Sequence, residues 1–400
     1  MKTRIDLSRT TIIATIVSLA LVYPLLWMKM LADPVQYTGA DFIAFYAAGR
    51  IADNEGASRA YDLNLQQKYQ QEVVMYDFEL QNVNPFVHPP FVVPLTQLAV
   101  TADYIASFQR WALLMVVISA LGTPFLTSLH DGSFTPSEKV FLTLGLLLFL
   151  PLFQSVILGQ DNAIMFLGIS IWMWGLFQKK DWAAGLGLAL TTIRPHFALI
   201  LLTPFLFKHR TILGWFIIFA LALALISLAF TGFSGIESFL HVLTVSGSGE
   251  NFKINEESMI NFIGLVRRIF PGLLPAYVRK AGWALYILVL LSLCIYFGNK
   301  NRTIGGMEIS LAAIAGIFFS PHSHVQDMLL FIIPITAMSI LLLKKKIFRP
   351  NQVVLIPLLV SLILLFSNYS PPLLHSVPYL FMIGFLMALS YLQKILTVNT

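Results

Sequence analysis

Ionisable side chains are scarce in this sequence, and the few that interrupt its apolar runs are the ones that can do chemistry. In TGADFIAFYAAGR, residues 38–50, Asp41 precedes a helix-forming run that carries Tyr46 and Arg50. An aspartate there can cap the helix through its first N–H groups. It can equally serve as a general base at the mouth of a cavity, where partial desolvation raises its basicity. The two roles are compatible, because a cap fixes a carboxylate in position. In Arg194–Pro195–His196 a guanidinium lies between two short apolar segments. A cation at membrane depth is costly and marks either a site or an ion pair. Arg194 is thus a structural partner for Asp161 or Asp327, or a fixed cation for a phosphate that belongs to a lipid.

Three further stretches carry polar groups. SPHSHVQD holds His322, His324 and Asp327, which suit metal ligation, a structural hydrogen-bonding turn, or contact with a phosphate or sugar. Neighbouring residues do not share a helix face, so all three would have to project from a loop. LGQDNA supplies Gln160 and Asn162 between two long apolar runs. They either form a tight turn or read sugar hydroxyls and a phosphate edge. His88 in NPFVHPP is a weaker candidate, readable as a proline-stiffened entry into the membrane. The polar stretch 247–262 reads as a lid or a linker. No Walker A loop, GxSxG, HExxH or glycine-rich dinucleotide motif is present.

The elements that must position these groups are membrane helices. Of 400 residues, 57% are hydrophobic and 12% charged, about half the charge of a soluble domain. Open sheet edges cannot be satisfied in lipid, so helices carry the spans. Apolar runs fall at approximately 10–30, 107–127, 138–157, 162–177, 183–193, 196–207, 211–230, 281–297, 306–320, 325–343, 351–368 and 377–395. This predicts an all-α polytopic protein of about twelve transmembrane helices forming a single domain over 1–400, with the first run a retained helix rather than a cleaved leader. The net charge of +6 is gathered into short clusters such as Lys179–Lys180, Lys208–Arg210 and Lys344–Arg349, the pattern of cytoplasmic loops rather than of nucleic-acid binding. Both termini are therefore expected in the cytoplasm. The opposite face receives a first loop (31–106), the LGQDN and TTIRPH turns, a second large loop (231–280) and SPHSH.

Residues 31–88 hold eight acidic and three basic residues. DFIAFYAAGRIA and NLQQKYQQEVVMY read there as amphipathic helices lying along the interface. Segment 88–101 is too short and proline-rich for a confident span and reads as re-entrant or interfacial. The runs 183–193 and 196–207 are also short, so the tip between them should lie below the outer surface, where irregular backbone survives only beside a cavity. A single cysteine, Cys294, excludes a disulfide framework.

Taken in order, Asp41–Gly49 (D-F-x-x-F-Y-x-A-G), Ala60–Asp62 (A-Y-D), Phe86–Leu95 (F-V-H-P-P-F…P-L), Gly159–Asn162 (G-Q-D-N), Arg194–Pro195 and Ser320–His324 (S-P-H-S-H) resemble the polyprenol-phosphate-mannose-dependent mannosyltransferases. These form glycosyltransferase family 87, of the GT-C membrane class. The resemblance implies a helical bundle in the bacterial inner or plasma membrane with its site on the non-cytoplasmic face. It implies a sugar donor on a polyprenyl monophosphate, a glycolipid or glycan acceptor, inversion at the anomeric centre, and Asp41 as the base. Arg194, His322, His324, Gln160, Asn162 and His196 would then hold the donor phosphate and sugar, without a metal or other cofactor. Tyr46, Arg50 and His88 would be weaker contacts. The family often has lysine where this chain has Arg194, a change from a point charge to a planar fork. Two other readings compete. A transporter or flippase of a lipid-linked sugar also uses buried arginine and broken helices, but would show paired halves. A lipid-diphosphate-dependent ligase or polymerase would need more cations on the outer face.

Overall fold

The computed structural model describes residues 7–130, 132–248, 255–299, 304–367 and 370–398. Part of the polar stretch 247–262, residues 249–254, lies outside them. Every α or 3-10 element among the described residues is helical, and no strand occurs there. In chain order the α-helices are α1 (Leu7–Leu31), α2 (Pro34–Thr38), α3 (Phe42–Asn54), α4 (Leu63–Val74), α5 (Val93–Ala99), α6 (Tyr104–Ser128), α7 (Pro136–Leu147), α8 (Leu150–Leu158) and α9 (Asn162–Phe177). They continue as α10 (Asp181–Leu190), α11 (Pro195–Phe207), α12 (Arg210–Ser248), α13 (Phe262–Ile269), α14 (Pro275–Gly298), α15 (Gly306–Phe319), α16 (Ile332–Lys344), α17 (Pro350–Ser367) and α18 (Pro371–Val398). Prolines open α2, α7, α11 and α14, where the missing N–H costs nothing and φ is already helical.

The chain is an α-helical polytopic membrane protein, but not by twelve full-length spans. Every apolar run is helical. Six stretches are long and apolar enough to cross a membrane, or seven if α7 and α8, bent by 42°, count as one. The others are cut short. At 1.5 Å per residue, α10 and α11 reach only about 15 and 20 Å against a hydrocarbon core of about 30 Å. Their apolarity serves the interior instead: α9 has twelve buried residues among its sixteen, so it is greasy all round as the core of a bundle. It packs between α6 and α10. At Gly187 an added Cβ would lie 2.2 Å from the Trp172 backbone nitrogen, so this close α9–α10 crossing tolerates no side chain there.

The segment after the first helix departs from expectation. α3 was expected to lie along the interface with one polar face, yet ten of its thirteen residues are buried. The reason is that α4 and α5 cover it from outside and α6 from within. Of the two helices, only α4 keeps a largely exposed face, burying just Gln66, Tyr69 and Gln70. The apolar helix Pro90–Ala99 is too short to cross. Residues 231–280 are mostly helical, since α12 runs to Ser248 across a non-helical break at Gly232 and α13 and α14 follow.

Candidate active site

A glycine builds the centre of the site. Helix α8 ends at Gly159 in the left-handed region (φ 72°), with the Gln160 N–H donating to the Ser155 carbonyl at 2.8 Å, a geometry that favours glycine. An added Cβ would meet the Phe42 Cβ at 2.3 Å. The Trp111 indole donates to the Gly159 carbonyl at 2.9 Å and locks the turn. Together these contacts press the LGQDN turn against the start of α3, where Asp41 sits.

Asp41 occupies the cap position of α3 but does not cap it: its backbone is already helical (φ −62°, ψ −16°) and its side chain accepts no N–H of the helix. The carboxylate instead accepts from Asn84 Nδ2 at 3.3 Å and Gln160 Nε2 at 2.6 Å. Two amide hydrogen bonds leave lone pairs over, and Asp41 is partly exposed. The Gln160 carbonyl oxygen accepts from Arg194 Nη2 at 2.5 Å, so one side chain bridges carboxylate and guanidinium.

Arg194 stands where the chain must break. The residue before a proline is pushed out of the helical region, and Arg194 (φ −122°, ψ 81°) separates a 3-10 turn at Thr191–Ile193 from α11. Its Nη2 also donates to Asp161 Oδ1 at 3.2 Å and Asn162 Oδ1 at 3.1 Å, and its Nε donates to Asn162 Oδ1 at 3.3 Å. Its Nη1 makes no hydrogen bond to a described residue. On the far side of Asp161, His88 Nδ1 lies 2.6 Å from Oδ2. Burial pushes the Asp161 carboxyl up, but His88 and Arg194 outweigh it and hold it below its ordinary value. Asp161 is fully buried and turned wholly inward.

The histidine loop closes the cluster from α15. Asp327 accepts from the His324 N–H at 2.8 Å through Oδ2 and from Asn162 Nδ2 at 3.3 Å through Oδ1. His322 and His324 stand edge to face, ring centroids 4.6 Å apart. Ser258 lies 3.1 Å from His324 Nδ1. His322 is exposed to water although protein surrounds it deep in the bundle, as a side chain lining an internal recess would be. That enclosure, with His324, His196 and Arg194 nearby, holds its imidazole well below the usual range. Burial does the same to His324, partly offset by Asp327 and Asp41.

The structure therefore joins Asp41, Gln160, Asn162 and Arg194 in one hydrogen-bonded network, which Asp327 links to the His322–His324 loop. His196, in the first turn of α11, is among the groups acting on His322. Tyr46 and Arg50 stay apart. The Tyr46 hydroxyl donates to the Ala102 carbonyl at 3.1 Å, and Arg50 lies over the Tyr69 ring at 5.9 Å. Asp161 and Asn84 were not singled out as site residues, and His88 ranked low. Asn84 and His88 act through partners distant in sequence, Asp41 and Asp161, and Asp161 is legible in the sequence only as a structural partner of Arg194. Among the described residues no group of three or more His, Cys, Asp or Glu is arranged to hold a metal ion. Both Asp327 oxygens are occupied within the fold.

In comparisons with known proteins, the model of the family described as Glycosyltransferase family 87 matches residues 86–321, more than half of the chain. That stretch contains His88, Gln160, Asp161, Asn162 and Arg194. No curated protein and no solved structure matches.

Proposed function

Because the chain belongs to glycosyltransferase family 87, we propose that it is an inverting membrane hexosyltransferase. It moves a sugar, mannose first among the choices, from a polyprenyl monophosphate to a lipid or glycan acceptor on the extracytoplasmic face. One observation carries this reading: Gln160 holds Asp41 at one end and Arg194 at the other. A base and a phosphate-binding cation are thereby fixed on either side of a space one amide side chain wide.

The step is a single displacement. Asp41 takes the proton of the acceptor hydroxyl as its oxygen bonds to the anomeric carbon. The bond from that carbon to the phosphate oxygen breaks with its electron pair, and the polyprenyl monophosphate departs. Arg194 Nη1 and the His322 ring N–H face the charge that grows on the phosphate, and fixed donors in a water-poor site lower a barrier most effectively there. Among the described residues of the cluster, neither carboxylate besides Asp41 is free to act as a nucleophile. Asp161 is held by Arg194 and His88, and Asp327 by Asn162 and the His324 N–H. With Asp41 as the base, a covalent sugar intermediate would need a further nucleophile, and the engagement of Asp161 and Asp327 supports the inverting reading. The Arg194 cation and the neutral His322 N–H serve the phosphate in this reading without a metal.

Sidedness follows from charge. Helices α9 and α11, and the 325–344 segment ending in α16, each start at the cluster and run to a basic group: Lys179–Lys180, Lys208–Arg210 and Lys344–Lys346. Basic ends favour the cytoplasm, which supports a site on the other face.

The test is a donor panel with purified protein in lipid: polyprenyl-phosphate mannose, a mannosyl nucleotide and a polyprenyl-diphosphate sugar, each with and without EDTA. Transfer from the monophosphate alone, unchanged by EDTA, is the expected result. Transfer from the nucleotide or diphosphate instead, or loss in EDTA restored by Mn²⁺, would overturn the reading.

A further inference from the structure

Residues 255–261 form a strap held on one side by charge and on the other by the histidine loop. Glu256, buried, pairs with Arg279 at 2.6 Å and Arg267 at 3.3 Å. Arg268 donates to the Met259 carbonyl at 2.8 Å and reaches the Glu257 carbonyl and the Tyr379 hydroxyl. Towards the loop, the Ile260 N–H donates to the Ser323 carbonyl and Asn261 Nδ2 to the Ser320 carbonyl, both at 2.9 Å. Four basic or aromatic anchors on α13, α14 and α18 thus hold seven residues against the histidine loop.

Ser258 sits in the middle of this strap, and its hydroxyl has only one proton. That proton goes to the Asn255 carbonyl at 2.8 Å, an oxygen that can only accept. With that proton so placed, the Ser258 oxygen accepts at its other contact, 3.1 Å from His324 Nδ1, and the ring donates. In a neutral imidazole a proton on Nδ1 leaves a lone pair on Nε2.

We propose that Ser258 is a positioning residue that fixes His324 with its proton on Nδ1, so that Nε2 meets the substrate as an acceptor for a sugar or acceptor-substrate hydroxyl. His324 is then not a donor to the phosphate. That task falls to His322, whose ring makes no hydrogen bond to a described residue. The role in transfer rests on the glycosyltransferase reading above; the tautomer does not. A neutral His324 agrees with the effect of its burial.

The experiment is ¹⁵N NMR of the full-length protein, labelled at histidine side chains, in lipid bilayers at neutral pH. The His324 signals are assigned by their loss in His324→Gln. The expected spectrum has Nδ1 protonated and Nε2 bare. In Ser258→Ala both tautomers should appear and transfer from polyprenyl-phosphate mannose should fall by up to roughly tenfold, the scale of one hydrogen bond. Ser258→Thr should restore both. A shift of the Nε2 signal on adding polyprenyl-phosphate mannose alone assigns the hydroxyl to the donor sugar, and a shift that also needs octyl mannoside assigns it to the acceptor. A protonated Nε2 in the ligand-free wild type or on donor addition, or an unchanged tautomer in Ser258→Ala, would overturn the proposal. The expected tautomer with no transfer from this donor would count against the donor assignment alone.

Discussion

Each carboxylate at this site has its role set by what occupies its oxygens. Asp161 is sealed between Arg194 and His88, with no exposure. Removing one partner of such a buried pair strands the other, at a cost of about 3 kcal/mol or more. Asp161→Asn should accordingly lower the thermal unfolding midpoint in detergent markedly, and an unchanged midpoint would show that the pair is not structural. Asp41 is held by two neutral amides and remains partly exposed, so its removal should leave folding intact. The sequence made Asp41 and Arg194 legible, because a charge beside an apolar run has few explanations. It left Arg194 open between an ion pair with Asp161 or Asp327 and a phosphate contact. The structure contains the ion pair and also an unengaged Nη1. The helix-cap reading of Asp41 is not realised, since a cap needs an extended backbone and Asp41 is already helical.

At the scale of elements, the site depends on two interruptions. One is the Arg194–Pro195 break between α10 and α11, and the other is the left-handed turn at Gly159. Alanine at Gly159 would cost about 1–2 kcal/mol in backbone conformation alone, and its Cβ would strike Phe42. Gly159→Ala should therefore lower the unfolding midpoint and, by moving Gln160 away from Asp41, reduce transfer as well. Wild-type stability in this variant would contradict the role given to the turn. Element types were readable along the chain because each long apolar run must be helical. What periodicity did not reveal was depth: α3 carries polar residues enough for an interface, and only the covering by α4 and α5 makes it core. The same blindness inflated the span count, since an apolar run facing protein looks like one facing lipid.

Across the whole molecule, basic helix ends lie opposite a polar cluster that gathers from the first loop, two turns and the histidine loop. His322 and His324 are both held below their ordinary value of 6.5. The unfolded chain therefore binds more protons than the folded one as pH falls below about 6.5, and stability drops with it. Asp161, lowered from 3.8, adds a second loss only at more acidic pH. An unfolding midpoint that declines between pH 7 and 5 would agree with this sign, and one that rises would contradict it. The proposed transfer turns on Asp41 being the base. Its most direct test is transfer from polyprenyl-phosphate mannose by wild type and Asp41→Asn, compared at matched unfolding midpoints. General-base assistance contributes about 10²–10⁴-fold, so the variant should fold normally and lose at least about a hundredfold in rate. A folded Asp41→Asn protein that transfers sugar as fast as the wild type would contradict the mechanism.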